Sequence, residues 1–104
     1  MKTINVATEF SIIPSGRQIG DGSATGKHFY DILVKTILGL DKNEKLIINF
    51  DGVLTAGSSF LDEAFAGLIR NRILSKKDFN EKIEIIAIEH PEIKEKITRY
   101  VKNA

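Results

Sequence analysis

The sequence predicts an α/β fold in which a largely parallel or mixed sheet packs against helices around one core. Two nearly continuous apolar runs, Leu46–Phe50 and Ile83–Ile88, have the length and composition of buried strands. Apolar residues at helical spacing separate these runs and follow the second one. The length of 104 residues fits one domain, so residues 1–104 are expected to form a single unit.

The predicted elements alternate between strands and helices. Ile4–Ala7 and Phe10–Ile13 are short apolar stretches that indicate a first strand or a tight pair of strands. A helix is expected from Thr25, as N-cap, to Leu38, with Gly39 as C-cap. A second helix should run from Ser58 to about Leu74, and a last one should follow Pro91. Because a helix connects the two buried strands, they are expected to lie parallel, either adjacent or one apart.

Composition excludes several classes of protein. Fifteen Lys and Arg oppose fourteen Asp and Glu, and a net charge of +1 gives no general attraction for nucleic acid, so no nucleic-acid partner is expected. The absence of cysteine excludes disulfides, thiol catalysis and thiolate metal sites. No apolar run approaches ~18 residues, and the first residues lack the apolar core of a signal peptide. We therefore expect no membrane association and a cytoplasmic location.

A strand, a short loop and a serine pair that opens a helix follow one another in Leu46–Leu68. This arrangement resembles the STAS fold of anti-anti-sigma factors and sulfate-transporter tails, and most closely the STAS-like family of unknown function. That family has a Gly-Arg loop before its first helix, here Gly16-Arg17. It also has a Ser-x-Phe-like helix start followed by an acidic pair, here Ser58-Ser59-Phe60 and Asp62-Glu63. The resemblance covers nearly the whole chain and implies a STAS-like mixed sheet with helices packed on it.

The serine pair is the candidate regulatory site. In anti-anti-sigma proteins the corresponding turn reads Asp-Ser-Ser/Thr-Gly, and a partner kinase phosphorylates its first serine. Here the turn reads Gly57-Ser58-Ser59-Phe60, so the serines match while the Asp and the Gly are replaced. The resemblance implies that Ser58 or Ser59 accepts a phosphate and that the partner is a protein, a kinase-like ATPase. The alternative is that the serines only cap the helix.

The expected partner surface surrounds this helix start. Asp51, Asp62 and Glu63 supply negative charge that can steer a basic partner, and Phe60 can anchor an interface if its ring is exposed. Gly57 is small enough to let another chain approach. The alternative is that Phe60 belongs to the core and that the acidic pair forms a solvated face.

The Gly-rich loop of residues 16–27 supports a second hypothesis, a small anion- or nucleotide-binding domain that uses Gly16, Arg17 and Lys27. A nucleoside triphosphatase is excluded, because the Walker spacing would need a glycine at Asp21 and a hydroxyl residue at His28. A mobile surface loop is the alternative.

No pattern in the chain indicates catalysis, a metal or a cofactor. The two histidines, His28 and His90, are isolated, and adjacent helical residues such as Asp62 and Glu63 point about 100° apart. Arg70, Arg72, Lys76 and Lys77 could form an accessory nucleic-acid patch, but no aromatics are interleaved with them. The leading hypothesis is therefore a regulatory protein–protein interaction module, not an enzyme, with no catalytic residue, metal or cofactor.

Overall fold

Three parallel strands form the sheet of this protein. The computed structural model describes residues 1–104, and its strands are β1 (Lys2–Asn5), β2 (Leu46–Asn49) and β3 (Ile83–Ile86), in the order β1-β2-β3. Ile4 pairs with Ile48, which pairs with Ile85. The α/β class and the parallel, adjacent arrangement of β2 and β3 are confirmed. The sheet is parallel in both pairings, as the alternation of elements allowed, and not mixed as the STAS-like resemblance implied, because a helical crossover precedes both β2 and β3.

Five helices accompany the sheet, with a short 3₁₀ turn at Ile19–Asp21 before the second one. They are α1 (Val6–Glu9), α2 (Gly26–Leu38), α3, α4 (Lys76–Lys82) and α5 (Pro91–Lys102). Helix α3 consists of three consecutive segments, Ser58–Leu61, Asp62–Ala66 and Gly67–Arg70, and its middle segment is a π-helix. The predicted caps of α2 are confirmed, since the Thr25 hydroxyl accepts the His28 N–H and Gly39 closes the helix.

Two segments differ from the sequence prediction. Phe10–Ile13 is not a second strand, because the chain turns into α1 directly after β1 and the Phe10 ring packs 5.0 Å from that of Phe29. The helix predicted to reach Leu74 ends at Arg70, and a separate helix, α4, begins after Ser75. The Ser75 hydroxyl accepts the N–H of Asp78, so a local N-cap starts α4 in a charged segment without an apolar stripe.

The helices cover one face of the sheet. Ile4, Ile48 and Ile85 share a register row and are buried. On the opposite face Ile47 is half-buried and Glu84 is exposed. The apolar run of β2 predicted a strand covered on both faces, and this is wrong because the half-buried Ile47 faces away from the helices.

Helix α3 is the centre of the helical layer. It packs against α2 on one side and α5 on the other. Phe60, Leu61, Phe65 and Leu68 are fully buried, and Gly67 lies against the Tyr30 ring, where an added Cβ would come within 3.3 Å. Small residues at the contact let helices approach closely, so α3 is held between its neighbours with almost no exposed apolar surface.

Arg72 is the one non-glycine residue with a positive φ, at 60°, and it follows the C-cap of α3. A glycine takes this left-handed conformation without the Cβ penalty, so we expect Arg72→Gly to raise the free energy of unfolding by about 1 kcal/mol. Urea denaturation measures the change. Arg72→Ala is the matched control, because it removes the same side chain and keeps the Cβ; equal stabilisation by both variants would contradict a backbone origin.

Candidate functional site

The loops that follow β2 and β3 are tied together at the carboxyl edge of the sheet. Asp51 Oδ1 accepts the backbone N–H groups of Ile88 and Glu89, at 2.8 and 3.2 Å. Glu89 in return accepts the N–H of Gly52, which has a left-handed φ of 94°. Asp51, predicted to steer a partner, therefore serves first as an internal acceptor that fixes two neighbouring loops.

Residues 14–25, which we name the strap, pass next to Gly57, the residue just before α3. The carbonyl of Pro14 accepts the N–H of Gly57, and that of Gly16 accepts the N–H of Gly26 at the start of α2. Ser15 lies where a Cβ on Gly57 would point, at 3.5 Å. The sequence suggested that Gly57 leaves room for a partner, but this space faces the protein's own strap.

Arg17 extends from the strap to the exposed side of α3. Its Nη1 lies 2.6 Å from Asp62 Oδ2 and 3.4 Å from Glu63 Oε1, and Arg70 contacts the same carboxylate of Asp62 at 3.2 Å. The hydrogen bond that Arg17 donates to the Asp62 carboxylate raises the pKa of Arg17. Burial by itself would raise the pKa of Asp62, but the hydrogen bonds from Arg17 and then Arg70 outweigh it and lower that pKa.

These contacts occupy the groups that the anion-binding hypothesis needed. Arg17 is bound to two carboxylates, and Lys27 donates to Asp31 at 2.8 Å. Gly16 has the left-handed φ of 88° typical of a glycine turn. The N–H groups of the next two residues, Arg17 and Gln18, are accepted by Asp21, which is an anion within the chain. The loop thus holds its own carboxylate in the position where the hypothesis placed a ligand.

Ser58 and Ser59 are both exposed at the first turn of α3. Gly57 is the N-cap, and neither serine makes a capping hydrogen bond, so the capping alternative is wrong for this helix. The first intrahelical bond runs from the Leu61 N–H to Gly57 O, so the N–H groups of Ser58, Ser59 and Phe60 have no acceptor in the chain. The pKa of Tyr100 on α5 is lowered, first by the neighbouring Ser58 hydroxyl and to a smaller extent by Arg99. No hydrogen bond of good geometry joins the hydroxyls of Ser58 and Tyr100.

Phe60 lies inside the core and cannot anchor a partner. Its ring is fully buried, with centroids 5.6 Å from that of Phe29 and 5.9 Å from that of Phe10. The first turn of a helix that is buried on three sides must turn one apolar residue inward, and Phe60 has that position. The alternative that Phe60 belongs to the core is therefore confirmed.

Exposed apolar side chains lie instead in the loops at the carboxyl edge, and sequence reasoning did not identify them. Leu54 is 63% exposed and Ile88 79% exposed, in the two loops that Asp51 joins. The N–H of Leu54 donates to the carbonyl of Ile12, so the loop after α1 adds two more exposed side chains. We name these four residues the edge patch: Ile12, Ile13, Leu54 and Ile88. Large apolar residues in Gly- and Pro-containing loops, outside any periodic pattern, were the available signal.

The comparison with protein families agrees with this architecture. The family model described as STAS-like domain of unknown function (DUF4325) matches residues 25–92, about two thirds of the chain. The chain belongs to this family. The matched part of the STAS-like domain runs from α2 to the first residues of α5, and it includes the serine pair and the acidic pair of α3. Searches of curated proteins and of solved structures found no match.

The family's description assigns no function to its members. No helix of this STAS-like domain has both the length and the apolar character required to cross a bilayer. The site residues named from the sequence therefore remain proposals, and their geometry decides which of them can meet a partner.

The contact between α2 and α3 leaves no room at Gly26. A Cβ there would lie 2.7 Å from Glu63 Cβ and 2.8 Å from Phe60 O, and both atoms are fixed by α3. We expect Gly26→Ala to lower the free energy of unfolding by about 2–3 kcal/mol, because α2 and the strap must move away from α3. Thermal or urea unfolding measures this. At Gly20 no atom lies within 4 Å of an added Cβ, and Gly20→Ala should change stability by less than about 0.5 kcal/mol. Similar losses at both positions would contradict the close contact.

The ion pairs of Asp62 predict a stability that depends on pH. The pKa of Asp62 is lowered in the folded protein, so its ionised form stabilises the fold above the unfolded pKa of about 4, and this contribution disappears as the pH falls through the folded value. At pH 6 we expect Asp62→Asn to lower the free energy of unfolding by about 1–2 kcal/mol. The difference in unfolding free energy between the variant and the wild type should become smaller below about pH 4.

Urea denaturation at a series of pH values checks this expectation. Asp41→Asn is the control, because the Asp41 carboxylate has no ion pair. If the difference in unfolding free energy between the wild type and Asp62→Asn stays constant from about pH 6 to pH 3, the role of the carboxylate charge is contradicted.

Proposed function

We propose that this STAS-like domain is a regulatory protein–protein interaction module whose partner docks on the edge patch and the adjoining start of α3. The exposed apolar residues of the patch carry this proposal. Ile12, Leu54 and Ile88 stand in three loops that are fixed to one another by hydrogen bonds, so they present a preformed surface. Rigid apolar side chains at an exposed edge are typical of binding surfaces, since little ordering entropy opposes docking.

The serine pair adjoins this surface and supports a switch by phosphorylation. Leu54 precedes Ser58 by four residues, and both serines are exposed with open N–H groups at the helix start. Phosphoryl transfer from ATP to Ser58 or Ser59 would place about two negative charges beside apolar side chains that a partner has to cover. Arg17 and Arg70 already pair with the carboxylate of Asp62, so this neighbouring side chain adds little repulsion to the new charge. Docking would weaken while the fold persisted.

The partner class follows from the family resemblance alone. A STAS-like domain switched in this way fits a kinase-like ATPase that both binds the patch and phosphorylates the serine. The anion-binding alternative has no comparable support, because its two cations are already paired.

Leu54→Ser should reduce capture of the partner at least tenfold, because it removes an apolar contact worth about 1.5 kcal/mol or more. Ser58→Glu or Ser59→Glu should reduce it similarly through charge, whereas Ser58→Ala and Ser59→Ala should bind like the wild type. The measurement is quantitative mass spectrometry of proteins captured from native lysate, followed by a binding isotherm with the purified partner.

Leu38→Ser is the matched control, since Leu38 is an exposed leucine at the far end of α2 and is 75% exposed. It should leave capture unchanged. Circular dichroism verifies that every variant folds. Equal capture by the wild type, the Leu54 variant and both Glu variants would refute this surface, and loss of capture with Leu38→Ser would place the interface elsewhere.

A further inference from the structure

Strand β3 forms an open edge of the sheet, and its unpaired backbone groups can be identified. Ile86 O accepts the N–H of Phe50, and Ile86 pairs with Asn49 in the parallel register. The N–H and C=O of Ile86 therefore face β2, and backbone alternation turns those of Ile85 away from the sheet. The same alternation turns the Ala87 N–H outward. The Ile83 N–H is already donated to Phe79 O at the end of α4, which leaves only the Ile83 carbonyl free on that side.

The opposite edge is partly closed. The outward N–H of Asn5, at the end of β1, is accepted by Glu9 at 2.7 Å, so a carboxylate from the same chain covers that edge. No side chain donates to or accepts from the outward groups of Ile85. The Thr98 hydroxyl, which lies beside this edge on α5, is bonded to Lys94 O within its own helix. An unpaired and uncovered strand edge is a template for a further strand.

A groove of about 260 Å³ runs along β3 between α4 and α5. Four charged residues line it, two of each sign: Lys45, Glu81, Glu84 and Lys94. Glu81 is in the last turn of α4, just before the amino end of β3. Lys94 is in the first turn of α5, beyond the carboxyl end of β3. Both side chains are without an ion pair in the chain.

This distribution of charge is self-complementary. A two-fold axis that pairs β3 antiparallel with itself brings the amino end of one strand to the carboxyl end of the other. Glu81 of each copy then approaches Lys94 of the other, twice by symmetry. With Ile85 at the axis, each Ile85 exchanges its N–H and C=O with Ile85 of the second copy. Each Ala87 N–H then reaches an Ile83 carbonyl of the other copy. This register therefore uses backbone groups of β3 that are not bonded to β2 or to α4.

We propose that this STAS-like domain forms a two-fold dimer through the β3 edge, which joins two three-stranded sheets into one continuous sheet. The second copy is the occupant that the groove fits, because its charges and backbone groups complement themselves. The interface uses the side edge of β3, whereas Ile12, Ile13 and Leu54 of the edge patch lie in the loops after α1 and β2. It does not depend on the proposed function.

Charge exchange tests the pairing. Sedimentation velocity between about 1 µM and 1 mM should show the wild type associating to a dimer. Glu81→Lys and Lys94→Glu should each weaken dimerisation at least tenfold, since each places like charges together twice, and the double variant should recover to within about threefold of the wild type. Both residues are exposed, so the fold should tolerate the changes. Lys77→Glu is the matched control for Lys94→Glu, because it makes the same change of net charge on an exposed residue of α4 outside the groove.

Hydrogen exchange locates the interface. Raising the protein concentration should slow amide exchange at Ile85 and Ala87 and leave that of Thr3, on the β1 edge, unchanged. A wild type that stays monomeric to about 1 mM would overturn the proposal. So would single charge variants that dimerise as well as Lys77→Glu, a double variant that fails to recover, or concentration-dependent protection at Thr3 instead of Ile85.

Discussion

The fold depends on the burial of α3 between three neighbours at once. The sheet lies beneath it, α2 and α5 lie on either side, and the aromatic side chains of Phe60 and Phe65 fill the space between these layers. The five residues from Ala64 to Leu68 are all buried, which is more than one face of an α-helix can present. The π segment at Asp62–Ala66 widens the helix at this point, and the small residues Ala64, Ala66 and Gly67 let the flanking helices approach.

The arrangement of polar residues follows from this burial. Only a narrow strip of α3 remains for charged residues, and Asp62, Glu63 and Arg70 occupy it. Partly buried carboxylates need partners, and Arg17 on the strap supplies the strongest contact. The strap is thus held by backbone hydrogen bonds that join Gly16 and Arg17 to the start of α2, and by the ion pair of Arg17 with Asp62 on α3. The acidic pair that suggested a charged docking surface instead fastens the protein's own loop.

The two proposed interaction surfaces lie where the core has no further need of side chains. At the carboxyl edge of the sheet, Asp51 uses its carboxylate to set the β3 loop against the β2 loop, and this leaves Leu54 and Ile88 outside the core. Parallel sheets concentrate loops at this edge, which is why binding sites are common there. At the side of the sheet, β3 ends the hydrogen-bond ladder with a groove beside it. The two proposed surfaces arise from different parts of the topology, one from the loops and one from the side of the last strand.

Local sequence determined much of the secondary structure. The apolar runs of β2 and β3, and the caps Thr25 and Gly39 of α2, involve residues within a few positions of one another, so their spacing is sufficient to predict them. The parallel pairing of β2 and β3 also follows, because a helical connection between two strands constrains their direction. The short N-terminal helix and α4 escaped prediction because neither has an apolar stripe of its own.

The character of the candidate site was decided by tertiary structure. Phe60 and Leu54 are both large and apolar. The residues within a few positions of each do not indicate that Phe60 is buried and Leu54 exposed. Phe60 is buried because its side of α3 faces the core, and Leu54 is exposed because its loop is held outside the core, where its N–H bonds to Ile12 O. Likewise, Arg17 resembles a free phosphate ligand until the fold brings it to Asp62, 45 residues away along the chain. The sequence by itself determined the class of fold and the position of its serine pair, while contacts between distant segments decided which charges are neutralised and which surfaces stay open.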